Sequence, residues 1–258
     1  MFEHNLDPVA VSFFDVKIYW YSLAYIFGFL FTFWYSRLLI KKKILKLDYK
    51  IAEDFITFGI IAVILGGRTG YILFYNFGYY LDNPIYIIKI WQGGMSFHGA
   101  LIGLIIHMLI FGYKKKQRIT ELANLLALCS PIGIFLGRIA NFINGELIGR
   151  ATDGSWGVIY KFVDQPRHPS QIYEAIFEGL FIFVILFIFS NSKFSKKFNT
   201  FSIFLILYAS ARFLIEFFRE PDSQLGFIFY NFSMGQILTL PMLFFGLFFL
   251  KNEKNKKN

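Results

Sequence analysis

The chain has 258 residues, of which 56% are hydrophobic, 21% are aromatic and 17% are charged. This composition excludes an ordinary soluble globular domain and predicts an all-α polytopic membrane protein. The net charge of +9 is compatible with a nucleic-acid-binding protein, but most basic residues lie in loops between apolar segments. We therefore expect no nucleic-acid partner.

Apolar stretches of about 20 residues recur along the chain, and each is long enough to cross a bilayer as a helix. They predict seven transmembrane helices within a single membrane domain that covers residues 1–258. The predicted spans cover about 18–36, 55–77, 95–113, 120–137, 172–190, 200–218 and 235–250.

Four basic clusters give the predicted orientation of these spans. The clusters lie at 37–50, 114–118, 193–197 and 251–257 and hold 17 of the 26 Lys and Arg residues. Because they fall at alternate ends of the seven spans, the positive-inside rule places them in the cytoplasm. The N-terminus is then outside, the C-terminus is cytoplasmic, and residues 145–169 form a small extracytoplasmic cap.

The first span is expected to remain in the membrane as an anchor. The first ten residues lack a basic region, and the apolar span ends in three lysines rather than in a small-residue cleavage site, so no cleavable signal peptide is predicted. The aromatic residues at 19–21 are typical of the interfacial belt at a membrane surface. Tyr21 in this group is also a candidate site phenol.

Polar residues interrupt the second span and open the third. Arg68 lies between Gly66 and Gly70, whose GxxxG spacing lets a neighbouring helix approach closely. Arg68 is therefore either paired inside the bundle or directed at a ligand. His98 lies in a glycine-rich stretch. A lone histidine is more often a structural residue, but the glycines around His98 leave main-chain amides free for an anion.

The segment 137–150, GRIANFINGELIGR, is the most polar part of the membrane-spanning region. An arginine near mid-bilayer costs at least about 2.5 kcal/mol, so Arg138 alone could be a residue that snorkels from a helix end. Asn141, Asn144 and Glu146 accompany it and favour a functional site instead.

The fifth and sixth spans each carry a charged stripe. In the fifth span, Gln171, Glu174 and Glu178 share one helical face, which should face the bundle interior. In the sixth span the i, i+4 and i+7 spacing predicts a second stripe. Its members are Arg212, Glu216 and Arg219, and the structural alternative is a simple intrahelical ion pair.

The predicted topology places ten polar residues from six or seven spans in the outer third of the membrane or just beyond it. They are Tyr21, Arg68, His98, Arg138, Asn141, Glu146, Glu174, Arg212, Glu216 and Gln236. Snorkelling arginines would scatter over both faces, so one shared outer site explains these residues best. Arginine forks bind phosphate oxygens, which predicts a phospholipid ligand. Because the four histidines are scattered and no metal-ligand spacing occurs, we expect neither a metal nor another cofactor.

Several strings in the chain resemble those of bacterial prolipoprotein diacylglyceryl transferases. They are Trp20-Tyr21, HGALIG at 98–103, GRIANFINGE at 137–146, PSQIYE at 169–174, RFLIE at 212–216 and MGQ at 234–236. The likeness runs over nearly the whole chain. The small departures are at Ala100 and Ala140, where glycine is common in the family, and at Ile148, where an aromatic residue is common.

This resemblance implies transfer of the diacylglyceryl group of phosphatidylglycerol to the lipobox cysteine of a prelipoprotein. The reaction forms a thioether, releases glycerol phosphate and begins lipoprotein maturation at the outer side of the bacterial cytoplasmic (inner) membrane. The resemblance further implies that Arg138 and Arg212 are essential, and that other matched residues support them or take part. These are Asn141, Glu146, Gly149, Glu216, His98 and Tyr21.

Together, the residue patterns and the resemblance divide the candidate site into two groups. Catalytic roles are assigned to Arg138, Arg212, His98, Glu146, Glu216 and Tyr21. Substrate binding is assigned to Arg138, Asn141, Asn144, Gly149, Arg68, Glu174 and Gln236. The residue that takes the proton of the thiol stays open.

Two other functions fit an anionic-lipid site. A transporter or flippase of an anionic phospholipid would show internal repeats and polar residues that reach the midplane from both sides, and we see no repeat. A non-catalytic lipid-binding assembly factor would not need a histidine and carboxylates beside the arginines, although it could use them as ion-pair partners.

Overall fold

The computed structural model describes residues 1–14, 16–221, 227–229 and 232–251, and these residues are mostly helical. In chain order the helices are α1 (Trp20–Lys41), α2 (Tyr49–Tyr75), α3 (Phe77–Asp82), α4 (Phe97–Lys114), α5 (Ile119–Asn144), α6 (Ser170–Glu174), α7 (Phe181–Ser190), α8 (Thr200–Ile215) and α9 (Met234–Phe248). A π-helical segment, Ala175–Leu180, joins α6 to α7. Of the last predicted basic cluster, 251–257, only Lys251 is among the described residues.

Among the described residues, five helical segments are long and apolar enough to cross a membrane. They are α1, α2, α4, α5 and the continuous segment Ser170–Ser190. This confirms a multi-pass helical membrane protein. The sixth and seventh predicted spans form α8 and α9, which have 16 and 15 residues. At 1.5 Å per residue each is shorter than a hydrocarbon core of about 30 Å.

Helix α5 continues seven residues beyond the predicted end of the fourth span, through Asn144. Its end is fixed by Gly145, whose φ of 68° is the left-handed conformation that commonly ends a helix. The Gly145 amide donates to the Phe142 carbonyl over 3.0 Å, and the Glu146 amide donates to the Asn141 carbonyl over 3.2 Å. Gly145 therefore determines where α5 ends, and the polar residues from Arg138 onward do not end the helix.

Short strands occur outside the helices, and the all-α prediction did not include them. They are β1 (Phe2–His4), β2 (Val9–Phe13), β3 (Val16–Tyr19), β4 (Val158–Tyr160), β5 (Phe227–Phe229) and β6 (Phe232–Ser233). Strand β1 pairs in parallel with β4, whereas β2–β3 and β5–β6 are antiparallel pairs. These pairings satisfy backbone groups that have no helical partner.

The chain divides into two compact units, one of which contains residues 36–123. In this unit α2 and α4 cross at glycines: a Cβ added to Gly66 would lie 2.5 Å from the Gly99 carbonyl oxygen, and one added to Gly70 would lie 2.7 Å from the Gly99 Cα. This close approach confirms the reading of the GxxxG spacing, since any larger side chain would push the two backbones apart.

The other unit contains residues 1–35 and the chain from Asn124 onward. Here α8 packs against α9, and the Ser202 hydroxyl donates to the Phe249 carbonyl over 2.8 Å. The predicted cap segment 145–169 is tied to the end of α8 by main-chain bonds, since the Arg150 amide donates to the Phe218 carbonyl over 2.9 Å.

Candidate active site

Two arginines from different helices share the same two carboxylates. Arg138 on α5 places Nε 3.1 Å from Glu174 Oε2 and Nη2 3.6 Å from Glu178 Oε2. Arg212 on α8 pairs through Nη1 with Glu174 Oε1 and lies 3.4 Å from Glu178 Oε1. The two glutamates thus hold both guanidinium groups at one place in the bundle.

The two carboxylates and the two arginines of this cluster differ in how far their side chains are buried. The side chains of Glu174 and Glu178 are 0% exposed, whereas those of Arg138 and Arg212 are 20% and 13% exposed. The carboxylates are therefore fully enclosed, whereas each arginine side chain keeps part of its surface accessible. A guanidinium group is suited to a bidentate contact with phosphate.

The local structure of the carboxylate helix explains how α5 comes close enough. Glu178 lies within the π-helical segment, and such segments are frequent at functional sites. A Cβ added to Gly179 would lie 2.8 Å from the Phe135 backbone. Because Gly179 lets α5 approach this closely, Arg138, three residues beyond Phe135, reaches the two carboxylates.

Glu216 extends the cluster toward α9. Its Oε2 lies 2.7 Å from Arg212 Nη2, and its Oε1 accepts a hydrogen bond from the Ser233 hydroxyl over 2.8 Å. Ser233 is the N-cap of α9 and forms a capping box with Gln236. Gly235 leaves room for the carboxylate, since a Cβ there would lie 2.6 Å from Glu216 Oε1. Gln236 therefore fixes the residue that holds Glu216.

Arg219 joins the cluster from outside α8. The predicted helical stripe is wrong at this position, because α8 ends at Ile215 and Arg219 forms a β-bridge with Gly149. Its Nη1 nevertheless lies 3.1 Å from Glu174 Oε1. The turn after Glu216 lets the chain pair with the cap segment and still return the guanidinium to the carboxylates.

Neither Arg219 nor Glu178 was among the assigned site residues, although both are bound into the cluster. The i, i+7 spacings from Gln171 to Glu178 and from Arg212 to Arg219 were visible in the sequence. The spacing alone did not separate a site residue from a helix-surface charge.

A second group of predicted residues lies at the end of α5. Glu146 Oε1 accepts hydrogen bonds from Asn141 Nδ2 over 2.7 Å and from Asn144 Nδ2 over 3.3 Å. The side-chain amide of Gln171, which lies one turn before Glu174, donates to the main-chain carbonyl of Glu146 over 2.5 Å. The predicted stripe of Gln171, Glu174 and Glu178 is confirmed as fully buried.

Gly149 occupies a position between two chain segments with no space for a side chain. A Cβ there would clash with the His168 carbonyl oxygen and would lie 2.6 Å from the Phe218 carbonyl oxygen. The Gly149 amide also donates to the His168 carbonyl over 3.0 Å. Gly149 therefore keeps the cap against the chain that follows α8.

Tyr21 and His98 lie in the first turns of two other helices. Tyr21 is in the first turn of α1 and packs against Tyr25, with ring centroids 5.4 Å apart. His98 is exposed in the first turn of α4, after the N-cap Ser96, and belongs to the unit of residues 36–123.

Arg68, in the same unit as His98, is buried and binds the loop before α4. Its guanidinium donates to five main-chain carbonyl groups, those of Tyr86, Ile87, Lys89, Gly93 and Gly94. These contacts support the first of the two interpretations of Arg68, that it is paired inside the protein. In the described part of the chain, no group of three or more His, Cys, Asp or Glu side chains is arranged to hold a metal ion.

Comparison with known proteins identifies the family. The sequence model of prolipoprotein diacylglyceryl transferase matches residues 8–251. The chain belongs to this family. A curated prolipoprotein diacylglyceryl transferase from Rickettsia canadensis, named phosphatidylglycerol–prolipoprotein diacylglyceryl transferase, is 48% identical over 245 residues, which cover 94% of this chain and 95% of the relative.

Prolipoprotein diacylglyceryl transferases of other bacteria are similar over the same length. Those of Rickettsia typhi and Ehrlichia ruminantium (strain Welgevonden) are each 47% identical, over 255 and 261 residues. The matches cover 98% of this chain in both cases, and 98% and 99% of the relatives. The names of these relatives give phosphatidylglycerol and prolipoprotein as their substrates.

Proposed function

We propose that the protein transfers the diacylglyceryl group of phosphatidylglycerol to the lipobox cysteine of a prelipoprotein. The observation that carries this function is the arginine pair Arg138 and Arg212, whose partly accessible side chains are held by the buried carboxylates of Glu174 and Glu178. The family membership of the chain supports the same reaction.

The chemistry explains why two arginines are needed. The thiolate sulfur attacks the glycerol carbon of the diacylglyceryl group, a carbon–sulfur bond forms, and the bond between that carbon and the phosphate oxygen breaks. The electron pair leaves with glycerol phosphate, so the phosphate gains negative charge in the transition state. Guanidinium donors that are fixed before the reaction stabilise this developing charge.

The positions of the other site residues suggest supporting roles. Glu216 orients Arg212, and Gln236 acts on Glu216 through Ser233. Asn141 and Asn144 hold Glu146 at the beginning of the cap, where Gly149 fixes the chain. For Tyr21, at the start of α1, and for Arg68, which orders the loop before α4, a role in lipid binding stays a prediction from the sequence.

His98 is proposed to accept the proton of the attacking thiol. His98→Gln should then lower kcat at neutral pH and recover part of it as rising pH ionises the thiol without help. The measurement is a pH profile of kcat at saturating lipid for the parent and the variant. Parallel profiles would remove His98 from proton transfer and leave it a positioning residue.

The proposed orientation has seven membrane crossings in a bacterial cytoplasmic membrane, with the N-terminus outside and the C-terminus inside. Asp164 is exposed in the cap segment and should face outward. In intact cells, an impermeant maleimide should label Asp164→Cys, whereas Lys116→Cys should react only after permeabilisation. The single native thiol, Cys129, is buried and gives a low background. The reverse labelling pattern would contradict this orientation.

The transferase and transporter functions are separated by one experiment. Purified protein is placed in bilayers that contain phosphatidylglycerol and is supplied with a lipobox peptide. A transferase converts the peptide to a lipid-modified product. Movement of phosphatidylglycerol across the bilayer without any product would favour the transporter.

A further inference from the structure

The ion-paired cluster around the proposed phosphate site has balanced charges. Three arginines face three glutamates in it: Arg138, Arg212, Arg219, Glu174, Glu178 and Glu216. A bound phosphodiester would add one negative charge. Because a surplus charge in a buried site is unfavourable, this anion needs a compensating change.

Glu178 has the weakest ion pairs of the three carboxylates. Its closest guanidinium nitrogens are 3.4 and 3.6 Å away, whereas Glu216 has one at 2.7 Å and Glu174 has two at 3.1 Å. The buried Oε2 of Glu178 accepts no hydrogen bond from the described residues. The Oε2 atoms of Glu174 and Glu216 also accept none, but they lie 3.1 and 2.7 Å from a guanidinium nitrogen, closer than the 3.6 Å of Glu178 Oε2.

The charged and titratable neighbours of Glu178 come from three helical segments. Arg138 faces it from α5, and Arg212 and Tyr208 face it from α8. Glu174 lies one turn earlier on the same helical segment and interacts with it electrostatically. Both arginines that would bind the phosphate are thus the same ones that now hold Glu178.

We propose that Glu178 takes up one proton when an anionic phospholipid binds, so that Arg138 and Arg212 exchange this carboxylate for the phosphate. The proton comes from the surrounding water and leaves the total charge of the cluster unchanged. Glu174 and Glu216 keep their closer ion pairs and continue to orient the arginines. This inference rests on the proposed function, since it takes the phosphate of phosphatidylglycerol as the ligand.

The test is the pH dependence of lipid binding without peptide. Phosphatidylglycerol is titrated into the purified protein in phosphatidylcholine bilayers between about pH 5.5 and 8.5, where the phosphodiester itself does not change charge. Uptake of one proton predicts that Kd rises by up to about tenfold per pH unit. Glu178→Gln carries no titrating group and should bind with nearly constant affinity over this range.

A histidine variant in the cap segment is the matched control. Burial lowers the pKa of the His168 imidazole, against the opposing influence of Asp153, and His168 lies in the cap segment rather than among the six residues of the cluster. His168→Gln should keep the parent slope. A slope that disappears in His168→Gln, or that persists in Glu178→Gln, would overturn the proposal.

Two further outcomes separate this inference from the function on which it rests. Binding of phosphatidylglycerol that does not change with pH in the parent overturns proton uptake but leaves the function intact. A folded protein that binds no phosphatidylglycerol at any pH refutes the proposed function. If Glu178→Gln does not fold, calorimetry of the parent in buffers of different ionisation heats counts the protons. One proton per lipid is expected, and none would contradict the proposal.

Discussion

Arg138→Lys and Arg212→Lys should each lower the transfer rate at saturating lipid by about 10² to 10³-fold, the loss that follows removal of one fixed oxyanion donor. Lysine keeps the positive charge but loses the planar fork that can serve carboxylate and phosphate together. Since the donors act mainly on charge that develops in the transition state, kcat should fall much more than KM rises. The measurement is a full kinetic comparison of both variants with the parent.

Arg37→Lys is the matched control for these substitutions. Arg37 lies 2.6 Å from Glu53, but its side chain is 63% exposed. An exposed ion pair contributes only about 0–1 kcal/mol, so this variant should keep the parent kcat. Near-parent kcat in Arg138→Lys or Arg212→Lys would show that a point charge suffices and would contradict phosphate recognition by the guanidinium fork.

Gly149→Ala should have the second large effect, a loss of both stability and activity. The added methyl group would overlap main-chain oxygens on two sides, at His168 and Phe218, and a backbone cannot rotate away as a side chain can. Overpacking of this kind costs about 1–3 kcal/mol or more. Since Gly149 bridges to Arg219, a displacement of about 1 Å there should also lower kcat by about 10²-fold.

Gly133→Ala tests whether glycine substitution alone produces this effect. A Cβ at Gly133, within α5, would meet no atom within 4 Å. Alanine favours a helix over glycine by about 1 kcal/mol, so this variant should unfold at the same or a slightly higher temperature and keep its kcat. The account of Gly149 fails if thermal unfolding and kcat do not distinguish the two variants.

Much of the fold could be predicted from the lengths of the apolar runs and from the periodic spacing of residues on helix faces. The long apolar runs predicted the five helices that can cross a membrane, and the GxxxG spacing of Gly66 and Gly70 predicted a close helix crossing. Helix ends were harder to predict, because local backbone conformation decides them. Helix α5 passes through Arg138 and Asn141 and ends at Asn144, just before Gly145, since the polar groups on it find partners within the bundle.

The part of the candidate site that lies on a single helix face could be predicted from the sequence. The spacing of Glu174 and Glu178 indicated a buried stripe, and that stripe is present. Spacing along the chain could not show that Arg138 and Arg212 share these carboxylates, because this pairing depends on how three helical segments pack. The return of Arg219 from outside α8 depends in the same way on a turn that no helical period describes.

Product analysis of the purified protein with phosphatidylglycerol and a lipobox peptide tests the central claim most directly. We predict a peptide that carries one diacylglyceryl group on its cysteine sulfur, together with an equal amount of glycerol phosphate. A peptide with serine in place of that cysteine should remain unmodified. The claim is contradicted if folded protein that binds phosphatidylglycerol leaves the cysteine peptide unmodified and releases no glycerol phosphate.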